Sequence, residues 1–183
     1  MPQLSAVITD YEFENVDLER EVLTEAGIGL TAFQEKQPQK ILPLARTADA
    51  IIVQYADINN ELINGLENCR IIVRYGAGIN NIDVEAATKK GIFVCNVPDY
   101  GIDEVSNHTI MMIMALARKL PSISKNIQNG GWWDPSIATI QRLAGATVGL
   151  IGFGRIGQMV ARKLAAFNIN LLVYHPRRDA AFI

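Results

Sequence analysis

Val148-Gly149-Leu150-Ile151-Gly152-Phe153-Gly154-Arg155-Ile156-Gly157 is the stretch that decides how this chain folds. An apolar run opening at Thr147 reads as a strand and passes directly into Gly152-x-Gly154-x-x-Gly157. A helical pattern follows to about Phe167, and Asn170-Leu171-Leu172-Val173-Tyr174 reads as the next strand. The glycine spacing alone is a weak signal. A strand before it, a helix opening on it and a second strand behind it supply the context it requires. In that context Gly152 permits the tight turn, Gly154 lets a pyrophosphate approach the backbone, and Gly157 lets the helix pack close to the strand. The N–H groups of Arg155 and Ile156, at the helix start, can bind phosphate oxygens. The competing reading is a glycine-rich turn chosen only for close packing.

A dinucleotide-binding turn of this kind expects a carboxylate about 20 residues on, to accept the ribose hydroxyls of NAD. That position holds His175, in Tyr174-His175-Pro176-Arg177-Arg178. Without the carboxylate a 2′-phosphate is not repelled, and Arg177 and Arg178 could pair with it through charge-assisted bonds. NAD and NADP therefore both stand as cofactors, with the arginine pair on solvated surface under the NAD reading.

Upstream, short β-branched runs alternate with helical patterns. Ala6–Thr9, Leu30–Phe33, Ala50–Val53, Arg70–Arg74 and Ile92–Cys95 read as strands. Asp17–Ala26, Pro38–Arg46, Glu61–Leu66 and Val84–Lys90 read as helices. Leu18, Val22 and Leu23 form the inward stripe of the first, and Gly27 ends it. Pro38 suits a first turn and Pro43 interrupts. Asp83 is placed to cap the last helix and Gly91 to end it. The strands are continuous apolar runs, as in a parallel sheet covered on both faces. The alternation is that of a doubly wound α/β layer. From about Asp103 to Lys119 the pattern becomes one helix apolar nearly all round, which calls for burial on most sides and reads as a bridge between two domains. A second helix spans about Ser122–Asn129. Trp132 and Trp133 read as packing anchors in an irregular stretch to Leu143.

Composition removes several classes. The 183 residues carry a net charge of −2, and no basic cluster exceeds the pairs Lys89–Lys90 and Arg177–Arg178, so no nucleic-acid partner is expected. Lys89–Lys90 reads as solvated surface. The densest apolar run, Ile110–Ala117, is far short of the roughly 20 residues that cross a bilayer. Met1-Pro2-Gln3-Leu4 has no charged segment leading into an apolar one, so no signal peptide and no membrane are expected. Cys69 and Cys95 sit beside apolar stretches and read as small buried hydrophobes in a reducing compartment, the cytoplasm. Two histidines far apart do not make a metal site.

The placement of the glycine turn behind a complete α/β unit and a long helix resembles the D-isomer-specific 2-hydroxyacid dehydrogenase family. The residues that carry the resemblance are Arg74-Tyr75-Gly76-Ala77-Gly78-Ile79-Asn80-Asn81-Ile82-Asp83, Asn96-Val97-Pro98-Asp99-Tyr100-Gly101, Glu104-Val105-Ser106-Asn107-His108-Thr109, Leu116-Ala117-Arg118 and the Gly152–Gly157 loop. The branch it looks most like lies near the C-terminal-binding proteins, whose bacterial members are often labelled phosphoglycerate dehydrogenase. The resemblance implies a flavodoxin-like substrate domain over residues 1–99, followed over 100–183 by the bridging helix and the first βαβ part of a Rossmann cofactor domain.

It implies further that the backbone N–H groups of Ala77 and Gly78 hold a substrate carboxylate, an anion-binding use of a glycine loop after a parallel strand. A plain turn is the alternative. Thr109 matches a position that approaches the cofactor. The family usually has aspartate where Asn80 stands, and phosphoglycerate dehydrogenases tend to carry an arginine after the third strand, where this chain has Gln54-Tyr55-Ala56. The catalytic arginine, carboxylate and histidine of the family lie beyond Ile183, so no catalytic residue is expected among these residues and the 183-residue chain is expected to be an inactive N-terminal fragment. His108 is expected to pack or hydrogen-bond within its helix. The implied activity is NAD(P)-dependent hydride transfer on a small 2-hydroxy or 2-oxo acid, by a homodimer when complete. The alternative is a dinucleotide-sensing scaffold that recruits partner proteins.

Overall fold

A computed structural model describes residues 4–176. The chain divides into two compact units, one reaching to Tyr100 and one starting at Gly101.

In the first unit the apolar runs become parallel strands β1 (Ser5–Ile8), β2 (Gly29–Ala32), β3 (Ala50–Val53), β4 (Ile71–Arg74) and β5 (Phe93–Cys95), in the order β2-β1-β3-β4-β5. Val7 pairs with Thr31 on one side and Ile51 on the other, and Ile51 pairs with Ile72. The chain leaves β1 to one side and returns to its other side with β3. This reversal opens a crevice beyond the carboxyl ends of β1 and β3, where ligands bind in open α/β sheets. Four helices connect the strands: α1 (Asp17–Glu25), α2 (Pro38–Ala45), α3 (Asn60–Gly65) and α4 (Val84–Lys89). The Asn59 side chain accepts the Leu62 N–H at 3.0 Å, and the Asp83 carboxylate accepts the Ala86 N–H at 2.9 Å. Each satisfies an amide that the first helical turn leaves without a partner. Ile8, Ile41, Ile51, Leu62 and Ile72 are fully enclosed, each stabilising the unit by roughly 1.5–3 kcal/mol.

Three expectations for this unit are corrected. Leu18 and Val22 of α1 are exposed; α1 turns Glu19 and Leu23 inward instead, because its neighbour is the edge strand β2. The sheet is not covered throughout. β5 is the other edge, and its outward positions Phe93 and Cys95 are exposed, so only Cys69 of the two thiols is even partly buried. Burial pushes the Cys69 thiol up to about 11. Lys90 is more than solvated surface. Its ammonium donates to the carbonyls of Ile63 at 2.8 Å and Asn64 at 2.7 Å, and also to that of Leu66, closing the carboxyl end of α3. Lys89 does lie in solvent, paired with Glu85 at 2.7 Å.

The second unit contains α5 (Ile102–Ala117), α6 (Leu120–Gln128), a 3-10 turn at Pro135–Thr139, β6 (Thr147–Ile151), α7 (Arg155–Leu164), a 3-10 turn at Ala165–Phe167 and β7 (Asn170–Tyr174). β6 and β7 run parallel, paired from Thr147 with Asn170 to Ile151 with Tyr174. With α7 between them they make one βαβ unit. Val160, Ala161 and Leu164 of α7 are buried. Lys163 clamps α7 to the start of α5: its ammonium reaches the Asp103 carboxylate at 2.7 Å, the Asp103 carbonyl at 3.2 Å, the Ser106 hydroxyl at 2.7 Å and the Asn107 amide oxygen at 2.5 Å. That ammonium holds the Asp103 carboxyl below its usual range.

Here too the structure corrects the expectations. α5 is not enclosed. It packs within its unit on α7 and α6, and Val105, Met111, Met112 and Leu116 remain exposed because no further layer of the unit lies over them among the described residues. Among the described residues Trp132 and Trp133 are not packed as anchors: they follow the Gly130–Gly131 turn and are 95% and 64% exposed. The His108 side chain is exposed and makes no hydrogen bond among the described residues. No helix among the described residues is long and apolar enough to cross a membrane.

Candidate functional site

The first cluster of candidate residues lies where β6 turns into α7. Gly152 has φ +96°, a conformation open to glycine and strained for other residues. A Cβ on Gly157 would stand 2.6 Å from the Gly152 carbonyl oxygen, so the helix packs against the turn as closely as a backbone allows. Gly154 is different. Its φ of −75° suits any residue, and a Cβ there would meet nothing within 4 Å. Nothing among the described residues requires glycine at Gly154, whereas a group arriving from outside and needing the bare backbone would.

The turn is held from within its own unit. The Gly152 N–H donates to the Tyr174 carbonyl at 2.8 Å, and the Phe153 N–H donates to His175 Nδ1 at 3.3 Å. The latter bond requires Nδ1 to be unprotonated, so His175 serves the turn directly through this nitrogen. The N–H groups of Gly154 and Ile156 meet no acceptor among the described residues, and Gly154, Arg155 and Ile156 are exposed. α7 has no side-chain cap. Unpaired amides at the positive end of a helix dipole form an anion-binding surface. Thr109 lies in the same unit, on α5, and its hydroxyl donates back to the Val105 carbonyl at 2.8 Å. Arg177 lies outside the described residues.

The second cluster lies at the carboxyl end of β4, in the first unit. Three consecutive carbonyls of its loop are tied down. The Val97 N–H donates to Gly76 O at 3.0 Å, Asn96 Nδ2 to Ala77 O at 2.7 Å, and Arg74 Nη1 to Gly78 O at 3.0 Å. The N–H groups of Gly76, Ala77 and Gly78 have no acceptor among the described residues, and Ala77 and Gly78 are exposed. Fixing the oxygens inward leaves the amides as the loop's outward polar groups. Gly76 is obligatory: its φ is +132°, and a Cβ would stand 2.8 Å from Arg74 Nη1. Asn80 keeps its side-chain oxygen close beside Gly78, 3.2 Å from the point a Cβ would occupy.

Sequence reasoning passed over the residues that support this loop. Arg74 also gives its Nε to the Gln54 carbonyl at 3.2 Å, bracing the loop after β3. Asp10 is fully buried at the end of β1. Its carboxylate accepts the N–H groups of Gln54 at 3.2 Å, Tyr55 at 2.8 Å and Ala56 at 3.1 Å, and the Thr9 hydroxyl at 2.9 Å. One carboxylate thus fixes the backbone on the far side of the crevice. The Tyr75 phenol donates to Glu19 at 2.8 Å. Burial and that carboxylate together push its ionisation well above the usual phenol range. Among the described residues, no three acidic, histidine or cysteine side chains gather as metal ligands.

Comparison with known proteins bears on this arrangement. Residues 7–173 match the family described as D-isomer specific 2-hydroxyacid dehydrogenase, catalytic domain. A glyoxylate reductase of Pyrococcus furiosus is 34% identical over 149 residues, covering 78% of this chain and 44% of that protein. A D-3-phosphoglycerate dehydrogenase of Methanocaldococcus jannaschii is 36% identical over 153 residues, covering 83% of this chain and 28% of that protein. Among solved structures, the D-lactate dehydrogenase of Aquifex aeolicus complexed with NAD and lactic acid superposes with a TM-score of 0.82 at 26% identity, covering 97% of this chain and 53% of that one. The chain therefore spans less than half the length of these curated relatives.

Proposed function

The chain belongs to the D-isomer specific 2-hydroxyacid dehydrogenase family, and from that premise we propose that its outward-facing amides, at the β6–α7 turn and at the Gly76–Gly78 loop, are the anion sites of a nicotinamide-dependent oxidoreductase. Gly154, Arg155, Ile156 and Gly157 receive the pyrophosphate of NAD, with Gly152 shaping the turn. Ala77 and Gly78 receive the carboxylate of a 2-hydroxy or 2-oxo acid. The observation that carries the reading is Gly154, whose missing side chain no neighbour among the described residues requires. A bound nicotinamide supplies or accepts the hydride at the carbon bearing the hydroxyl or oxo group.

The residues present bind and orient. The Gly76–Gly78 amides hold one carboxylate oxygen pair, and Arg74 and Asn96 keep those amides aimed. Preorganised amides of this kind need no rearrangement when the anion arrives. Thr109 has a hydroxyl oxygen able to accept a further bond beside α7. His175, fixed through Nδ1, has Nε2 left toward the ribose, and Arg177 follows it. With no carboxylate at this position, NADP is the alternative cofactor. The 183-residue polypeptide is proposed to bind these ligands without turnover. A cytoplasmic homodimer is part of the same proposal for the whole protein.

Titrating NADH and NADPH into the purified chain, with the fluorescence of Trp132 and Trp133 as one readout and calorimetry as another, tests this. Saturable binding of NADH, tighter than NADPH, is expected. Tighter NADPH would assign the other cofactor, and binding of neither would overturn the proposal. Cofactor-dependent reduction of any 2-oxo acid by this polypeptide would refute the expected lack of turnover.

A further inference from the structure

Beside the Gly76 loop lies a cavity of about 270 Å³ lined by Phe13, Gln54, Tyr75, Gly76, Val97 and Tyr100. It opens at the carboxyl ends of β3 and β4, within the first unit. Phe13 and Tyr75 meet edge to face, with ring centroids 5.2 Å apart and planes at 82°. The Tyr75 hydroxyl is committed to Glu19. Gln54 is nine-tenths buried, and its Oε1 accepts the Glu12 N–H at 2.7 Å. Its Nε2 donates to nothing among the described residues. No lysine, arginine or histidine lines the cavity. Arg74, the cation nearest the loop, spends its Nε and Nη1 on the Gln54 and Gly78 carbonyls.

We propose that the 2-oxo acid this chain recognises carries an aromatic side chain, which enters this cavity against Phe13 and Tyr75 while its carboxylate rests on the Ala77 and Gly78 amides. The proposal rests on the reading of that loop as the carboxylate site. The lining of the cavity disfavours a phosphorylated or a side-chain-free substrate. A side chain ending in phosphate would bring a dianion to a wall with no cation and with the Glu19 carboxylate behind it, and burying an uncompensated charge is costly. A substrate with no side chain, such as glyoxylate, would leave the aromatic wall in water and forgo its contact. An aromatic ring matches it: rings at this separation favour edge-to-face or offset contact, and a buried ring gains both area and geometry. Gln54 Nε2, without an acceptor among the described residues, is suited to an oxygen carried on the ring.

The test is a titration of the isotope-labelled 183-residue chain with phenylpyruvate, glyoxylate and 3-phosphohydroxypyruvate, followed through backbone amide resonances. All three should move the amides of Gly76, Ala77 and Gly78. Phenylpyruvate should bind tighter than either competitor by about tenfold or more, the discrimination typical of filling an apolar site. It should also move Phe13 and Tyr75. Phe13→Ala, at a half-exposed position, should narrow the preference by about tenfold; its melting temperature checks that the unit still folds. Equal or reversed preference, with the loop amides still responding, overturns the aromatic assignment alone. Failure of all three to move the loop amides overturns the carboxylate site and the assignment with it. An undiminished preference in Phe13→Ala also overturns the assignment.

Discussion

Replacing the three glycines of the β6–α7 turn by alanine, one at a time, separates what the fold needs from what a cofactor needs. Gly152→Ala forces a side chain onto a residue at φ +96°, which costs roughly 1–2 kcal/mol. Gly157→Ala places a methyl 2.6 Å from the Gly152 carbonyl oxygen. The backbone there must move, and overpacking of this kind costs about 1–3 kcal/mol. Gly154→Ala meets nothing within 4 Å and keeps an ordinary φ. Its effect on stability should stay within about 0.5 kcal/mol, and the loss of unfolded-chain freedom pushes it toward stabilisation. For a unit of this size, each kcal/mol corresponds to about 4–8 °C in melting temperature. Calorimetry should therefore show Gly152→Ala and Gly157→Ala melting several degrees low and Gly154→Ala near wild type. Titration with NADH should show the opposite for Gly154→Ala. A methyl at the bare backbone obstructs charge-assisted bonds worth about 1.5–3 kcal/mol, a loss of roughly tenfold to a hundredfold in affinity. Wild-type NADH affinity in Gly154→Ala, or a melting temperature as low as that of Gly152→Ala, would refute the reasoning.

Three further outcomes follow from the same structure. Asp10→Ala strips a buried carboxylate from three amides and a hydroxyl, and urea denaturation should show a loss of about 3 kcal/mol or more; a loss under about 1 kcal/mol would mean the β3 loop has other supports. Lys163→Met should lower stability at neutral pH. Because Lys163 depresses the Asp103 carboxyl, the stabilisation is present above the ordinary value of 3.8 and lost as pH falls through the depressed one. The gap between variant and wild-type melting temperatures should accordingly narrow below that range, and a gap constant to low pH contradicts the ion pair. Burial holds the Cys69 thiol up to about 11, so iodoacetamide at about pH 8 should alkylate exposed Cys95 and spare Cys69, since the thiolate is the nucleophile; peptide mass mapping showing equal labelling would contradict this.

How far the sequence led depended on whether the signal was local. β3 and β7 were legible to the residue because a β-branched run between turn signals defines both ends. The Asp83 cap and the Gly152–Gly157 turn were legible for the same reason: spacing and chemistry occur within ten residues. Asp10 and Arg74 were not. Asp10 serves amides of Gln54, Tyr55 and Ala56, more than forty residues away, and no periodicity records such a bond. The apolar character of α5 was visible, but a helix's hydrophobicity states only what it could bury, and within its own unit the described residues place α7 and α6 against it. Trp132 and Trp133 misled in the same way, as large rings without an element to receive them. The Gly76–Gly78 loop fell between these cases. Its glycines could be read, whereas the three anchored carbonyls that set its amides outward required Val97, Asn96 and Arg74 to be in place.

The most direct test of the account is the amide spectrum of the isotope-labelled chain as NADH is added. The resonances of Gly154, Arg155, Ile156 and Gly157 should move first and furthest, with His175 following. Saturating NADH that leaves those four amides unmoved, or that moves only residues of the first unit, would contradict it.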